Sequence, residues 1–136
     1  MNIFIVEDSE ADILLVRESL HTRELAFDLD VAMDAEEAFR CLDGLKECPD
    51  LCLLDLNLPR GDGHEVLQAI RRNPICSDIP VVVITSSDSP KDRARVAELG
   101  ADRYFRKPLD LDEFLTLGSV VEDVLRQRGR LNPGGE

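Results

Sequence analysis

A doubly wound α/β domain is the fold class this sequence predicts, and three observations predict it. Short apolar runs alternate with longer helical patterns along the chain, which implies a parallel sheet covered on both faces. Three of the runs are continuously apolar, as central parallel strands are, and one alternates in the manner of a half-exposed edge strand. The 136 residues are enough for one domain with a substantial core and leave no room for a second.

Taken in order, "NIFIV" (2–6) is the first central run. A helix follows over 10–20, with Ile13, Leu14, Val16 and Leu20 at helical spacing. "FDLDV" (27–31) sets Phe27, Leu29 and Val31 against Asp28 and Asp30 and reads as the edge strand. A helix over 35–46, the buried run "LCLLD" (51–55) and a helix over 64–72 come next. "VVVIT" (81–85) leads to Ser89, Pro90 and Asp92, which make an N-cap, a first-turn proline and an acidic third position. That helix runs over 90–99 and Gly100 closes it. "DRYF" (102–105) and a helix over 111–127 complete a domain spanning 1–127. Residues 128–136, without a periodic apolar face and ending in Pro-Gly-Gly-Glu, are expected to form a flexible tail.

Charge narrows the partners. Sixteen basic against twenty-eight acidic side chains leave a net charge of −12. Such a surface repels nucleic acid and anionic membranes, and suits a cation or a partner with a basic face. No segment is apolar for long enough to span a bilayer, and "MNIFIV" meets Glu7 and Asp8 too early for a signal peptide, so a cytoplasmic location is expected. Cys41, Cys48, Cys52 and Cys76 form no CxxC pair and are expected to be buried thiols. His21 and His64 stand alone and are expected at the surface.

The polar residues collect in one place. In an open parallel sheet, ligands bind outside the carboxyl ends of the strands. Glu7 and Asp8 follow the first run, Asp55 and then Asn57 the third, Thr85, Ser86 and Ser87 the fourth, and Lys107 the fifth. An isolated charge is strongly penalised in an apolar interior, so Asp55 belongs at the tip of its buried strand, fixed but open to chemistry. Three carboxylates together repel and raise one another's pKa. Mg²⁺ relieves that repulsion, preferring oxygen ligands and commonly taking one or two carboxylates with a phosphate. Thr85 and Lys107 are left to hold the oxygens of an anion. The set describes phosphoryl transfer with Asp55 as nucleophile.

Four segments, "VEDSEAD" (6–12), "LLDLNLPRGDG" (53–63), "VVVITSS" (81–87) and "GADRYFRKPLD" (100–110), stand at spacings that make the chain resemble a response-regulator receiver domain of two-component signalling, from residue 2 to about 127. The resemblance implies a flavodoxin-like (βα)5 sheet of strand order 2-1-3-4-5. It implies phosphorylation of Asp55 by a histidine kinase or phosphotransfer protein. Mg²⁺ would be held by Glu7, Asp8, Asp55 and the backbone carbonyl of Asn57. Thr85, Ser86 and Lys107 would receive the phosphoryl group, a cis Lys107–Pro108 peptide would aim the lysine inward, and Pro59 and Gly63 would shape the loop after the nucleophile. Thr85 and Tyr104 would form the switch, and Asn57 and Ser87 would flank the route of attacking water. The segment "LPRGDGHEVLQAIRRN" (58–73) leans toward the small stand-alone regulators associated with bacteriophytochromes.

The bland alternatives are each simple: Glu7 and Asp8 as helix-capping acids, Thr85 as a strand former, Lys107 as a solvated lysine, Tyr104 as an edge aromatic. An aspartate-nucleophile phosphatase needs a second aspartate two positions on as general acid, where this chain has Asn57. A pseudo-receiver would have lost the acidic pair, the aspartate or the lysine. Output by docking on another protein and service as a relay intermediate both remain open. The last helix carries Leu111, Phe114, Leu115, Leu117, Val120, Val121, Val124 and Leu125, a band broader than a core contact requires. The surplus predicts a homodimer or partner surface over 90–127, with Asp110, Asp112 and Glu113 facing Lys91, Arg93, Arg95, Arg103 and Arg106.

Overall fold

The computed structural model describes residues 1–131. Five strands, β1 (Asn2–Val6), β2 (Asp28–Ala32), β3 (Leu51–Leu54), β4 (Val81–Thr85) and β5 (Arg103–Arg106), form one parallel sheet in the order β2-β1-β3-β4-β5. The expected topology is the observed one. Continuous apolar runs put β1, β3 and β4 in the middle, where Ile3, Ile5, Leu51, Leu53, Val82 and Ile84 are fully buried. The alternating run lies at the edge, one residue further along than expected, and its exposed Asp28 and Asp30 discourage pairing with another strand.

The helices cover both faces. On one, α1 (Glu10–His21) and α6 (Leu117–Gln127) pack over Ile3, Ile5, Leu53 and Ile84. On the other, α2 (Ala35–Asp43), α3 (Gly63–Arg72) and α4 (Pro90–Glu98) cover Phe4, Val6, Leu54 and Val83. Side-chain caps start the helices, Ser89 for α4 as the sequence suggests, and also Ser9 for α1, Asp34 for α2 and Asp62 for α3. The second helix ends at Asp43, earlier than expected, because Gly44 takes its C-cap.

The last helix differs from its expectation. A short α5 (Leu111–Phe114) is followed by Leu115 and Thr116 before α6 begins. At Gly118 an added Cβ would lie 2.0 Å from the carbonyl oxygen of Ser19 in α1, so only glycine permits this approach of the two helices. The broad apolar band is used up by that packing. Phe114, Leu117, Val121, Val124 and Leu125 are buried, and Leu111 is the exposed residue of the band. The basic residues also pair within the chain: Arg93 and Arg106 with Asp88, and Arg95 with Asp62 at 4.0 Å.

Other expectations need correcting. Residues 128–131 are tied down: Arg128 pairs with Asp78 and Asp102, and Leu131 packs on the core. Residues 132–136 of the expected tail lie outside the described residues. Of the cysteines, Cys52 and Cys76 are buried, Cys41 is partly so and Cys48 is exposed. His21 is exposed, but His64 is buried because its ring is drawn between two carboxylates, described below. No described helix is long and apolar enough to cross a membrane.

Candidate functional site

The carboxyl ends of β1, β3, β4 and β5 bring the expected residues together. Parallel pairing sets Val6 beside Leu54, so Glu7 and Asp8 leave β1 next to Asp55, which follows β3 directly. One carboxylate oxygen from each of Glu7, Asp8 and Asp55 lies within 4.8 Å of the others. Glu7 and Asp55 are buried and Asp8 is exposed, so the trio opens to solvent on the Asp8 side.

Lys107 reaches into the trio from β5. Its Nζ lies 3.1 Å from Asp55 Oδ2, 2.8 Å from Asp12 Oδ2 and 2.5 Å from Glu7 Oε1. The lysine does this with a trans Lys107–Pro108 bond; no described peptide is cis, contrary to expectation. Strand geometry aims the lysine instead. The Lys107 N–H donates to the Thr85 carbonyl at 2.7 Å, which continues the β4–β5 register one residue past β5. Alternation then turns Arg106 outward and Lys107 inward. Trans is also the ordinary preference of an X–Pro bond, by about 0.5–1 kcal/mol. Asp12, on the first turn of α1, is a partner of the lysine that the sequence reading missed. Its place in "EADILL" signals only an acid near a helix start.

The charges are unevenly satisfied. Burial pushes the Glu7 carboxyl up to about 8, reinforced by the nearby Asp55, while the adjacent Lys107 ammonium opposes the rise. For Lys107, burial works against the ammonium, but Asp12, Glu7 and Asp55 outweigh it and hold its pKa above the ordinary lysine value. Although Lys107 is close to Glu7 Oε1, the contact is too poorly directed to be a hydrogen bond, and that buried oxygen has no hydrogen-bond partner. A buried carboxylate oxygen without a donor, between two further carboxylates, fits a hard divalent cation.

Asp55 is immobilised from both sides. The Asn57 N–H donates to Asp55 Oδ1 at 3.1 Å, and Lys107 holds Oδ2. Gly63 makes the tight loop possible, since a Cβ there would lie 2.5 Å from the Asp55 carbonyl oxygen and from Leu56 Cα. Thr85 is fully buried at the end of β4, and its Oγ1 accepts from Asn57 Nδ2 at 3.4 Å and from the Ser87 N–H at 3.3 Å. Its own proton is therefore free for an anion. Ser86, next to it, is exposed. Tyr104 is half-buried on β5, with its hydroxyl donating to the Ser87 carbonyl at 2.6 Å and the Arg93 guanidinium 4.2 Å from its ring centroid.

An acidic trio at the ends of two neighbouring strands, with a lysine and a threonine beside it on this sheet, is the arrangement of a signalling receiver domain. The chain matches the response regulator receiver domain family over residues 3–117 and belongs to it. It is similar to the response regulator Rcp1 of Synechocystis sp., 38% identical over 125 residues that cover 88% of this chain and 85% of that protein. The crystal structure of Mn²⁺-bound Rcp1 superposes with a TM-score of 0.80 at 37% identity, covering 90% of this chain and 91% of the other. The phosphorylated cyanobacterial phytochrome response regulator RcpA gives 0.81 at 35% identity over the same shares. The bacteriophytochrome response regulator RtBRR gives 0.74 at 32%, covering 90% of this chain and 76% of the other. The chain spans 51% and 48% of the length of two longer curated relatives. Divalent metal binding at the acidic trio agrees with both the family and the Mn²⁺-bound relative.

Proposed function

We propose that this chain is a stand-alone response regulator that accepts a phosphoryl group on Asp55 from a phosphohistidine of a sensor kinase or phosphotransfer protein. The observation that carries this reading is the placement of the Asp55 carboxylate between the Lys107 ammonium, at 3.1 Å, and the carboxylates of Glu7 and Asp8. An Asp55 oxygen attacks phosphorus as the phosphorus–nitrogen bond breaks, and the imidazole leaves with the electron pair. Glu7, Asp8, Asp55 and the Asn57 carbonyl would hold the cation, which we assign as Mg²⁺. When bound, it supplies positive charge against the phosphoryl oxygens as negative charge moves onto them. Lys107, already directed at Asp55, exchanges a carboxylate oxygen for a phosphoryl oxygen. Thr85 turns its free hydroxyl proton toward another, and Ser86 is small enough to leave room.

Movement of Thr85 gives up its contacts with Asn57 and Ser87, and Tyr104 is tied to the same Ser87. That linkage supports Thr85 and Tyr104 as the switch. The likeness to RcpA and RtBRR supports a phytochrome-type sensor kinase as the donor. Asn57, two residues after the nucleophile, carries an amide where a phosphatase of the rival class carries a general acid, so the domain accepts and slowly loses one phosphoryl group without turnover of small esters. The signal leaves by phosphorylation-dependent docking on another protein, in the cytoplasm of a bacterium. A homodimer through the 90–127 face belongs to this proposal with Leu111, 57% exposed, as an apolar contribution. A monomer in sedimentation with and without the phosphoryl group would remove the homodimer.

Intact mass after incubation with Mg²⁺ and acetyl phosphate tests the core of the reading. One added phosphoryl group that needs Mg²⁺ and is absent from Asp55→Ala is expected. An adduct that survives in Asp55→Ala would overturn the assignment of the nucleophile, and no adduct from either acetyl phosphate or a phosphorylated kinase would overturn the receiver reading.

A further inference from the structure

A cavity of about 610 Å³ opens beside Asn57, between the loop that follows β3 and the start of α4, with Asp62, His64, Asp92 and Arg95 in its wall. His64 is 6% exposed. Its Nδ1 lies 2.7 Å from Asp62 Oδ1, which also accepts the His64 N–H at 2.9 Å as the N-cap of α3. Its Nε2 has no hydrogen-bond partner and lies 3.4 Å from Asp92 Oδ1, across the gap to α4. A buried polar atom left with one polar neighbour calls for a reason.

The reason lies beyond Asp92. The other oxygen of that carboxylate, Oδ2, accepts the Ser87 hydroxyl at 2.7 Å, and Ser87 Oγ accepts the Ser89 N–H at 3.2 Å. The Ser87 N–H donates to Thr85 Oγ1 at 3.3 Å, and its carbonyl accepts the Tyr104 hydroxyl. Every polar group of Ser87 is thus committed, and each commitment fixes the loop between β4 and α4. Asp92 is the one carboxylate on which both His64 and Ser87 converge.

We infer that His64, as the imidazolium whose two N–H groups face Asp62 and Asp92, is a positioning residue that holds Asp92 by charge at 3.4 Å, and through it Ser87, so that the loop from the phosphorylation site to α4 keeps its unphosphorylated arrangement. This rests on the receiver reading above. A contact made in only one of two states biases the protein toward that state. The Ser87–Thr85 bond must break when Thr85 turns to a phosphoryl group, so the His64 tether opposes activation, and loosening it makes activation easier.

Two substitutions separate the tether from mere packing. In His64→Asn the short amide retains a polar atom near Nδ1 and loses the one facing Asp92. His64→Gln retains an amide near Nε2. Tyr104 is the single tyrosine of a chain without tryptophan, so its fluorescence reports on the network directly. Titrated with beryllium fluoride in Mg²⁺, a stable mimic of the phosphoryl group, His64→Asn and Asp92→Asn should half-saturate at a concentration about threefold lower or less, with His64→Gln within about twofold of wild type. The double variant His64→Asn with Asp92→Asn should go no further than either single one, as coupled residues do. Asparagine and glutamine variants that shift together, or folded variants that do not shift at all, would overturn the tether. Failure of the wild type to bind beryllium fluoride would count against the receiver reading. Amide exchange at residues 86–92 of the unmodified protein then decides the tether by itself: faster exchange in His64→Asn and Asp92→Asn but not in His64→Gln supports it, and equal exchange in all four proteins overturns it.

Discussion

The two ends of the sheet use similar charged groups in opposite ways. At the amino ends of β4 and β5, Arg71 donates to the carbonyls of Ser77, Ile79 and Gly100 at 3.1, 2.6 and 2.7 Å and lies 3.5 Å from Asp102. Asp102 in turn accepts the Val81 N–H at 2.9 Å and pairs with Arg128, which also holds Asp78. Two guanidiniums meet two carboxylates there, with donors matched to acceptors. At the carboxyl ends, Glu7, Asp12 and Asp55 crowd around the single ammonium of Lys107 with Asp8 beside them, and a buried oxygen of Glu7 makes no directed hydrogen bond. A balanced cluster closes a fold. An unbalanced one stores repulsion that a proton, a cation or a chemical change relieves, and that marks the functional end.

The largest expected effect breaks the balanced end. Arg71→Met keeps much of the aliphatic stem and removes the fork, leaving three carbonyls and Asp102 short of a donor. The loss should be about 3 kcal/mol of unfolding free energy, read from the midpoint of a urea transition. Phosphoryl uptake by the folded fraction should be unchanged, because the site lies at the other end of the strands. A change at the unbalanced end should reverse the pattern. Asp8→Asn removes one repelling charge, so the metal-free protein should melt no lower than wild type, while Mg²⁺ affinity should fall by at least about tenfold. Calorimetric titration and thermal melting of one preparation give both readings. A variant that lost stability and kept its metal affinity would erase the distinction between the two ends.

That distinction was legible in the sequence only in part. The rim of Glu7, Asp8, Asp55, Thr85 and Lys107 follows from local signals, because an apolar run ending in a polar residue locates that residue along the strand axis; the strand order is what the resemblance to receiver domains implies. Asp12, Asp62, His64 and Asp92 are different. Each looks like a helix-start residue, and its partner lies on another element; the Lys107 contact to Asp12 spans 95 positions of the chain. Side-chain reach across elements leaves no periodicity to read. The same limit explains the last helix, whose surplus apolar band becomes core only because Gly118 lets it sit against Ser19.

The smallest expected effect sharpens the contrast by pH alone. The Glu7 carboxyl, raised from an ordinary 4.5 to about 8 by burial, holds its proton at neutral pH in the metal-free protein. A carboxyl raised on folding contributes stability that is fully present below its unfolded value and is lost as pH rises through its folded one. The metal-free protein should therefore become less stable between about pH 4.5 and pH 8 as far as Glu7 governs it. Metal affinity runs the other way, since binding must displace that proton. Mg²⁺ should bind roughly tenfold more tightly for each pH unit gained below that value, and the gain should level off above it. Glu7→Gln removes the displaced proton, so its weaker binding should be flat over the same range, whereas Arg71→Met, at the balanced end, should keep the wild-type slope. Calorimetry in two buffers of different ionisation enthalpy counts the proton released on binding. Release by Arg71→Met but not by Glu7→Gln would place the titrating group at the carboxyl end of the sheet, and equal release by both would remove Glu7 from the account.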